Sequence, residues 1–306
     1  MNWRIKGVVQ RVLSVTPGGC TINDCLQRTL GSLRDFESNV DCKVTGDWLV
    51  FEEYLQELGL RPAGMDFLEI GTGWYPTLPI CFYLAGARSC QSFDLTRHLH
   101  WGMTVRMLRR LEVHLPAIAA SSGQSLASVT AAYGQFLNCR NTASLMQKAN
   151  IRYLAPADAR YTGLADGSVD VAFSNSVLEH VPPDVIFGLM QETRRVLRPG
   201  GLGMHSVNCG DHYAYFDKNV TMLNYLTYSQ EEWKPWNNDL LYQNRLRPCD
   251  FVRLAEEAGL KTLFARSQPR PELLKCLPQL KLSPEFLEYP PEQLCSTSVG
   301  LVSQAN

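Results

Sequence analysis

The alternation of apolar and polar positions changes period near residue 60. Before it, apolar residues recur at helical spacing. "WRIKGVVQRVLSV" sets an apolar face against Arg4, Lys6 and Arg11, and "DWLVFEEYLQELGL" repeats the pattern, with Gly59 near its end and Pro62 beyond. Residues 1–60 therefore read as helical. Such a first helix can lie on a membrane surface, but more often packs on its own domain. After residue 60, short apolar runs alternate with helical ones. "DFLEIG" (Asp66–Gly71), "SCQSFDL" ending at Asp94, "IRYLAPAD" ending near Asp158, "VDVAFSNS" (Val169–Ser176) and "LGMHSVN" (Leu202–Asn208) read as strands. "PTLPICFYLAGA", "DVIFGLMQETRRVLRPGG" and "CDFVRLAEEAGL" read as helices. Pro76 and Pro79 fit the first of these only in or near its opening turn, and Pro199 with two glycines is expected to stop the second. "KTLFARS" and "STSVGLVSQ" close the chain. Short apolar strands between helices imply a doubly wound α/β fold, its parallel sheet covered on both faces.

Two stretches exceed ordinary crossovers. Residues 98–150 carry the helical segments "WGMTVRMLRRLEVHL" and "SLASVTAAYGQFLNC", and residues 209–247 are rich in Tyr, Trp, Asn and Asp. Segments of this length in a compact domain commonly serve as lids or substrate-binding loops. The expected layout is an N-terminal helical segment, 1–60, joined to a domain spanning 61–306, with both insertions forming a cap over the carboxyl edge of the sheet. The Pro-rich piece from Gln268 to Pro291 reads as a surface excursion.

At 306 residues and 45% hydrophobic composition, one large domain with a sizeable core is expected. A formal charge of −1, without like-charge runs, gives no electrostatic reason to expect nucleic acid. No apolar run approaches the ~20 residues of a membrane span. The ten cysteines are scattered, with no CxxC pair, which points to reduced thiols and a cytoplasmic setting. They and the six histidines do not fall at metal-ligand spacing in the sequence, so no metal is expected.

The chemistry concentrates at predicted strand ends, where doubly wound sheets bind ligands. "LEIGTG" places Glu69, Gly71, Thr72 and Gly73 after the first strand. Glycines there allow a tight turn and close approach of a ligand to the main chain. A diphosphate site would want a third glycine, where Trp74, Tyr75 and Pro76 stand instead. Asp94 and Leu95 end the second strand, about 20 residues on, where a carboxylate can accept both ribose hydroxyls. Asp158 and Ala159 follow the third strand, and Asn175, Ser176 and His180 lie in "SNSVLEHV" after the fourth.

The set "LEIGTG", "FDL", "ADA", "SNSVLEHV" and "LRPGG" resembles the class I S-adenosylmethionine-dependent methyltransferases, especially a branch with S-x-x-x-L-E-H-V after the fourth strand. The resemblance covers Asp66 to Val207 and, loosely, the last strands. It implies a Rossmann-like, mostly parallel seven-stranded sheet. It also implies roles: Glu69, Gly71 and Gly73 beside the amino-acid half of S-adenosylmethionine, Asp94 on the ribose, Asp158 and Ala159 at the adenine, and Asn175 and Ser176 beneath the sulfonium. That ligand has no phosphate, which suits the missing third glycine.

Methyl transfer demands alignment, exclusion of water and, for a hydroxyl acceptor, a base. His212, in "CGDHYAYFD" directly after the fifth strand, is the expected base or acceptor ligand, with Asp211 as its partner or an alternative base. His205 reads as a packed core residue. Tyr213, Tyr215, Trp236, Asn244 and Arg245 offer aromatic walls and donors for a small polar acceptor, O-linked or N-linked, of natural-product or saccharide biosynthesis. The segment "DH…FD…LN-[YF]-L…W…YQNRLR" also resembles a bacterial methyltransferase subgroup, and it could equally serve a homodimer interface. The rival readings are a catalytically silent S-adenosylmethionine-binding partner protein and an NAD-dependent oxidoreductase.

Overall fold

The computed structural model describes residues 2–19, 22, 35–238 and 240–306. The part of the N-terminal helical expectation that falls on 23–34 lies outside them. One sheet of seven strands forms the centre, in the order β3-β2-β1-β4-β5-β7-β6. The strands are β1 (Asp66–Ile70), β2 (Ser89–Phe93), β3 (Ile151–Leu154), β4 (Val169–Asn175), β5 (Leu197–Asn208), β6 (Lys261–Arg266) and β7 (Ser298–Gln304). β1 to β5 pair in parallel, and β7 enters antiparallel between β5 and β6. The strand order reverses between β1 and β4, so a crevice opens at their carboxyl ends. The fold is the Rossmann-like, mostly parallel α/β arrangement expected from the sequence.

The covering of both faces explains the strand compositions. Val169, Val171, Ala172, Phe173 and Ser174 of β4 are all buried, because helices lie above and below them. On one face helix Thr77–Leu84 is buried on nearly every side. The sheet lies beneath it and helices Leu115–Ser122 and Leu126–Gly134 lie outside it, which accounts for its apolar run without helical alternation. On the other face helices Pro183–Val196 and Pro248–Glu257 pack together over β5 and β7.

Three sequence expectations change. Helix Pro183–Val196 ends before Pro199, and β5 begins at Leu197. The turn is fixed by Arg198, which pairs with Asp170 and Asp66 at the amino edge of the sheet. The 98–150 insertion forms an outer helical layer against helices Leu49–Glu57 and Thr77–Leu84, rather than a cap. Its Ser121 carbonyl accepts from Gln56 Nε2 at 2.9 Å and Arg61 Nη1 at 2.5 Å, just before the amino end of β1. The piece from Gln268 to Pro291 is no mere surface excursion, since Leu273 and Phe286 are buried in the lid cluster described next.

A third buried cluster, called the lid below, joins helix Trp3–Ser14 to the described residues of 209–247. The Trp3 ring lies 5.1 Å from Tyr213, 5.9 Å from Trp233 and 4.9 Å from Trp236. Its backbone N–H donates to Asp217 Oδ2 at 3.0 Å. Gly7 lets the helix approach, since a Cβ there would stand 2.9 Å from Trp236. This contact sets the helix rotation. Trp3, Gly7 and Gln10 face inward, while the apolar Ile5, Val8, Val9 and Val12 are exposed. The wholly buried Arg247 ties the lid to the sheet. Its Nη2 donates to the carbonyls of Cys209 at 2.6 Å and Ser296 at 2.9 Å, and its Nη1 to Tyr225 Oη at 2.9 Å. No helix among the described residues is long and apolar enough to cross a membrane.

Candidate functional site

The turn after β1 is tied to the end of β2. Gly71 has φ +84° and donates its N–H to the Phe93 carbonyl at 2.8 Å. Gly73, at φ +70°, donates to Asp94 Oδ2 at 2.9 Å. A Cβ on Gly71 would fall 2.4 Å from Val177 Cγ2, so the glycine also admits the loop after β4. The other oxygen of Asp94, Oδ1, accepts from the Thr96 N–H at 3.4 Å, and burial raises the Asp94 pKa. Behind the turn, Glu69 is buried and accepts from Ser92 Oγ at 2.5 Å, while Thr72 bonds the same Ser92 hydroxyl. Burial pushes the Glu69 carboxyl up to about 7.

These pieces border a cavity of about 260 Å³ at the carboxyl ends of β1, β2, β3 and β4. Gly71, Asp94, Leu95, Asp158, Ala159 and His180 line it, bringing six sequence-predicted residues to one space. Asp158 pairs there with Arg160 Nη2 at 2.7 Å, which holds its carboxyl below the usual range. Glu69, Thr72, Gly73, Asn175 and Ser176 are not among the residues that line this cavity. Tyr75 turns away and packs against Phe36 at 4.9 Å, and the Trp74 ring rests 5.1 Å from His98.

The sequence reading missed the charged floor. Lys43 lies on a π-helical segment, Lys43–Trp48, and its Nζ donates to Asn175 Oδ1 at 3.2 Å. Asn175 Nδ2 is buried and turned toward the Asp47 carboxylate. Asp47, one turn along, has its pKa raised by burial and lowered in part by Lys43. A signal was present. Val40, Val44 and Trp48 bury one side of this segment, so Lys43 and Asp47 flank an inward face.

Where the lid meets the loop after β4, Glu179, His180 and His212 come together, with one ligand-capable atom from each within 4.8 Å of the others. Glu179 is 1% exposed and neither carboxylate oxygen makes a hydrogen bond within 3.5 Å, with only the backbone N–H groups of Glu179 and Asn208 turned toward it. Burial pushes that carboxyl up to about 8. The His180 and His212 rings stand 5.0 Å apart, edge to face. His180 Nδ1 donates to the Tyr242 carbonyl at 2.7 Å, leaving Nε2 as the atom with a lone pair. His212 Nε2 is buried and unpartnered. Burial pulls the His212 ring down to about 3, which makes it a neutral lone-pair donor and a weak proton acceptor.

The partners expected of His212 are otherwise occupied. Asp211 accepts from the Tyr213 N–H and from Asn224 Nδ2, both at 2.8 Å, and caps the short helix His212–Tyr215. It points away from the imidazole, and the expected His–Asp pair does not form. Tyr213 Oη donates to the Trp236 carbonyl at 2.8 Å, and the Trp236 ring packs on Trp3. Asn244 Nδ2 donates to the Leu178 carbonyl at 2.6 Å and that of Val181 at 2.8 Å, bracing the loop that carries Glu179 and His180. Arg245 pairs with Glu285 and donates to Gln230 Oε1 at 2.7 Å. Of the five acceptor candidates only Tyr215 borders His212, with ring centroids 5.6 Å apart. His205 is the core residue expected, 2.8 Å from Ser174 Oγ.

Residues 117–204 match the family model described as a methyltransferase domain. The matched segment, less than a third of the chain, is similar to a methyltransferase domain. The matched part runs from helix Leu115–Ser122 through β3 and β4 into β5, and so contains the Asp158 and Glu179–His180 segments. The chain is similar in fold to a geranyl diphosphate C-methyltransferase from Streptomyces coelicolor A3(2), solved with Mg2+, geranyl diphosphate and S-adenosyl-L-homocysteine. They share 11% identity over 89% of this chain and 84% of that one, with a TM-score of 0.47. It is also similar to an S-adenosylmethionine-dependent methyltransferase from Mesorhizobium loti, at 14% identity over 82% and 96% and a TM-score of 0.44. A methyltransferase from Methanosarcina mazei gives 16%, over 82% and 96%, with a TM-score of 0.44. No curated protein sequence matches the chain.

Proposed function

We propose that this methyltransferase transfers the methyl group of S-adenosylmethionine to an oxygen of a small polar metabolite, with a nitrogen acceptor as the alternative. The metabolite would be a natural-product or saccharide intermediate. Asp94 accepts the ribose hydroxyls, Asp158 and the Ala159 main chain meet the adenine, and Leu95 packs on the base. Glu69, Gly71, Thr72 and Gly73 shape the amino-acid end. Asn175 and Ser176 lie toward the sulfonium. The single observation that carries the reading is the gathering of Gly71, Asp94, Asp158 and His180 around one cavity of about 260 Å³.

The acceptor lies between that cavity and the lid, against His212 and Tyr215. Its oxygen lone pair forms the new C–O bond, the C–S pair returns to sulfur, and the hydroxyl proton passes to water. The products are the methyl ether and neutral S-adenosylhomocysteine. The protein's part is to align the acceptor and exclude bulk water. We further propose a cytoplasmic enzyme with its aromatic lid available for dimerisation.

Thermal melting with S-adenosylhomocysteine and, separately, NAD tests the cofactor assignment. A native-state binder raises the midpoint by mass action. Stabilisation by S-adenosylhomocysteine alone is expected, and stabilisation by NAD alone would overturn the reading. Incubation of small-molecule extracts with labelled S-adenosylmethionine then tests turnover. Cofactor binding without labelled product from any acceptor would favour a catalytically silent protein.

A further inference from the structure

We propose that Glu179, His180 and His212 form a binding site for a divalent first-row transition-metal ion at the seam between the cofactor cavity and the lid. Three independent features of the cluster converge. One ligand atom from each residue lies within 4.8 Å of the others. Metal-bound ligands about 2.1 Å from a common centre stand about 3–3.5 Å apart, so closure takes side-chain rotation of about an ångström. Next, the Glu179 carboxylate is 1% exposed, makes no hydrogen bond within 3.5 Å and has only the backbone N–H groups of Glu179 and Asn208 turned toward it, while His212 Nε2 is buried and unpartnered. A buried carboxylate with so little compensation is costly, and a cation shared with two imidazoles satisfies all three groups at once. Finally, His180 is already oriented as a ligand. Its Nδ1–H is held by the Tyr242 carbonyl, which fixes the tautomer that leaves Nε2 free, the outer arrangement that metal-bound histidines show. Asn244, bonded to the Leu178 and Val181 carbonyls, holds the ligand loop in place.

The ligand set selects the ion. Two imidazoles and one carboxylate suit Zn2+, Mn2+, Co2+ or Fe2+, whereas hard cations such as Ca2+ and Mg2+ prefer all-oxygen shells. Three protein ligands leave an open position, the arrangement of catalytic rather than structural sites. His180 also lines the cofactor cavity, so that position lies next to the reacting centre. It would take the acceptor oxygen, and coordination would lower the hydroxyl pKa and orient the lone pair. This extension rests on the methyl-transfer reading and narrows the acceptor to a molecule with a metal-binding oxygen. It also explains why two motif segments far apart in sequence, "LEHV" and "CGDHY", carry their histidines to one point.

The test uses the full-length protein stripped with chelator and dialysed. Calorimetric titration with Zn2+, and the visible spectrum on adding Co2+, are measured for wild type, Glu179→Gln and His212→Asn. Thermal shift with S-adenosylhomocysteine is recorded in parallel as the check on folding and cofactor binding. We expect one ion per chain for wild type and at least a tenfold weaker affinity in each variant, with the S-adenosylhomocysteine shift retained. Wild-type protein that responds to S-adenosylhomocysteine but binds neither Zn2+ nor Co2+ would overturn the metal site and leave the methyltransferase reading intact. So would variants that bind as tightly as wild type. Should Glu179→Gln fail to fold, the wild-type and His212→Asn titrations decide. Loss of response to S-adenosylhomocysteine in wild type would strike the methyltransferase reading instead.

Discussion

Replacing Gly71 by alanine perturbs the turn on which the cofactor cavity depends, and its cost has two separable parts. The first is conformational. Gly71 has φ +84°, and a left-handed backbone costs a non-glycine residue about 1–2 kcal/mol. The second is steric. The new methyl would lie 2.4 Å from Val177 Cγ2, against a normal separation of about 3.5–4 Å, and overpacking of this kind costs about 1–3 kcal/mol. Together they give about 2–5 kcal/mol, or a midpoint lowered by about 3–8 °C for a chain of this length. Denaturant melts of wild type, Gly71→Ala, Val177→Ala and the double variant form a cycle that separates the parts. Val177→Ala should relieve the steric share, giving a favourable coupling of about 1–3 kcal/mol, and leave the conformational share in place. Since Val177 lines the cavity, affinity for S-adenosylhomocysteine should fall in Gly71→Ala as well. A Gly71→Ala protein that melts with wild type, or zero coupling to Val177, would refute the reasoning.

Three further outcomes are expected. Asp94→Ala should weaken S-adenosylhomocysteine binding by about 10–100-fold in calorimetry, the loss of hydrogen bonds to a charged acceptor, and unchanged affinity would remove Asp94 from the ribose. Glu69, held at about 7 by burial against an ordinary 4.5, keeps in the folded state a proton that the unfolded chain has lost. Its contribution to stability therefore falls as pH rises from about 4.5 to 7, so Glu69→Gln should gain on wild type by up to about 3 kcal/mol over that window. Denaturant midpoints at several pH values check this, and a pH-independent difference between the two proteins would contradict it. Arg247→Met should lower stability by about 3–5 kcal/mol, because the Cys209 and Ser296 carbonyls lose their buried donor, and limited proteolysis should then cut first within 209–247. Wild-type melting and cleavage in that variant would show the lid to be anchored elsewhere.

The strand ends were legible because their signals are local. Each apolar run buried in a parallel sheet announces itself, and a glycine pair or an acid directly after it has one place to go. Thus Gly71, Asp94 and Asp158 could be located before any contact was known. The count of seven strands came only with the family resemblance, and the antiparallel entry of β7 between β5 and β6 only with the structure. The end of helix Pro183–Val196 was misplaced for a different reason. Pro199 and the two glycines look like a helix stop, yet the ion pairs of Arg198 with Asp66 and Asp170 draw the chain into the sheet two residues sooner.

The sequence by itself determined the layered α/β sheet, the crevice beyond its strand ends and the identity of the residues around the cofactor cavity. These follow from burial periodicity and from groups attached to the ends of strands. Tertiary structure alone decided how the lid residues are used, setting His212 beside His180 and Tyr215 while enlisting Asp211, Tyr213, Asn244 and Arg245 as internal braces. It also turned helix Trp3–Ser14 onto Trp3 and Gly7, and it carried Lys43 to Asn175 and Glu179 to His212. Hydrogen-bond capacity is finite, and whether a polar side chain offers it to a ligand or to a distant carbonyl depends on where the chain returns in space.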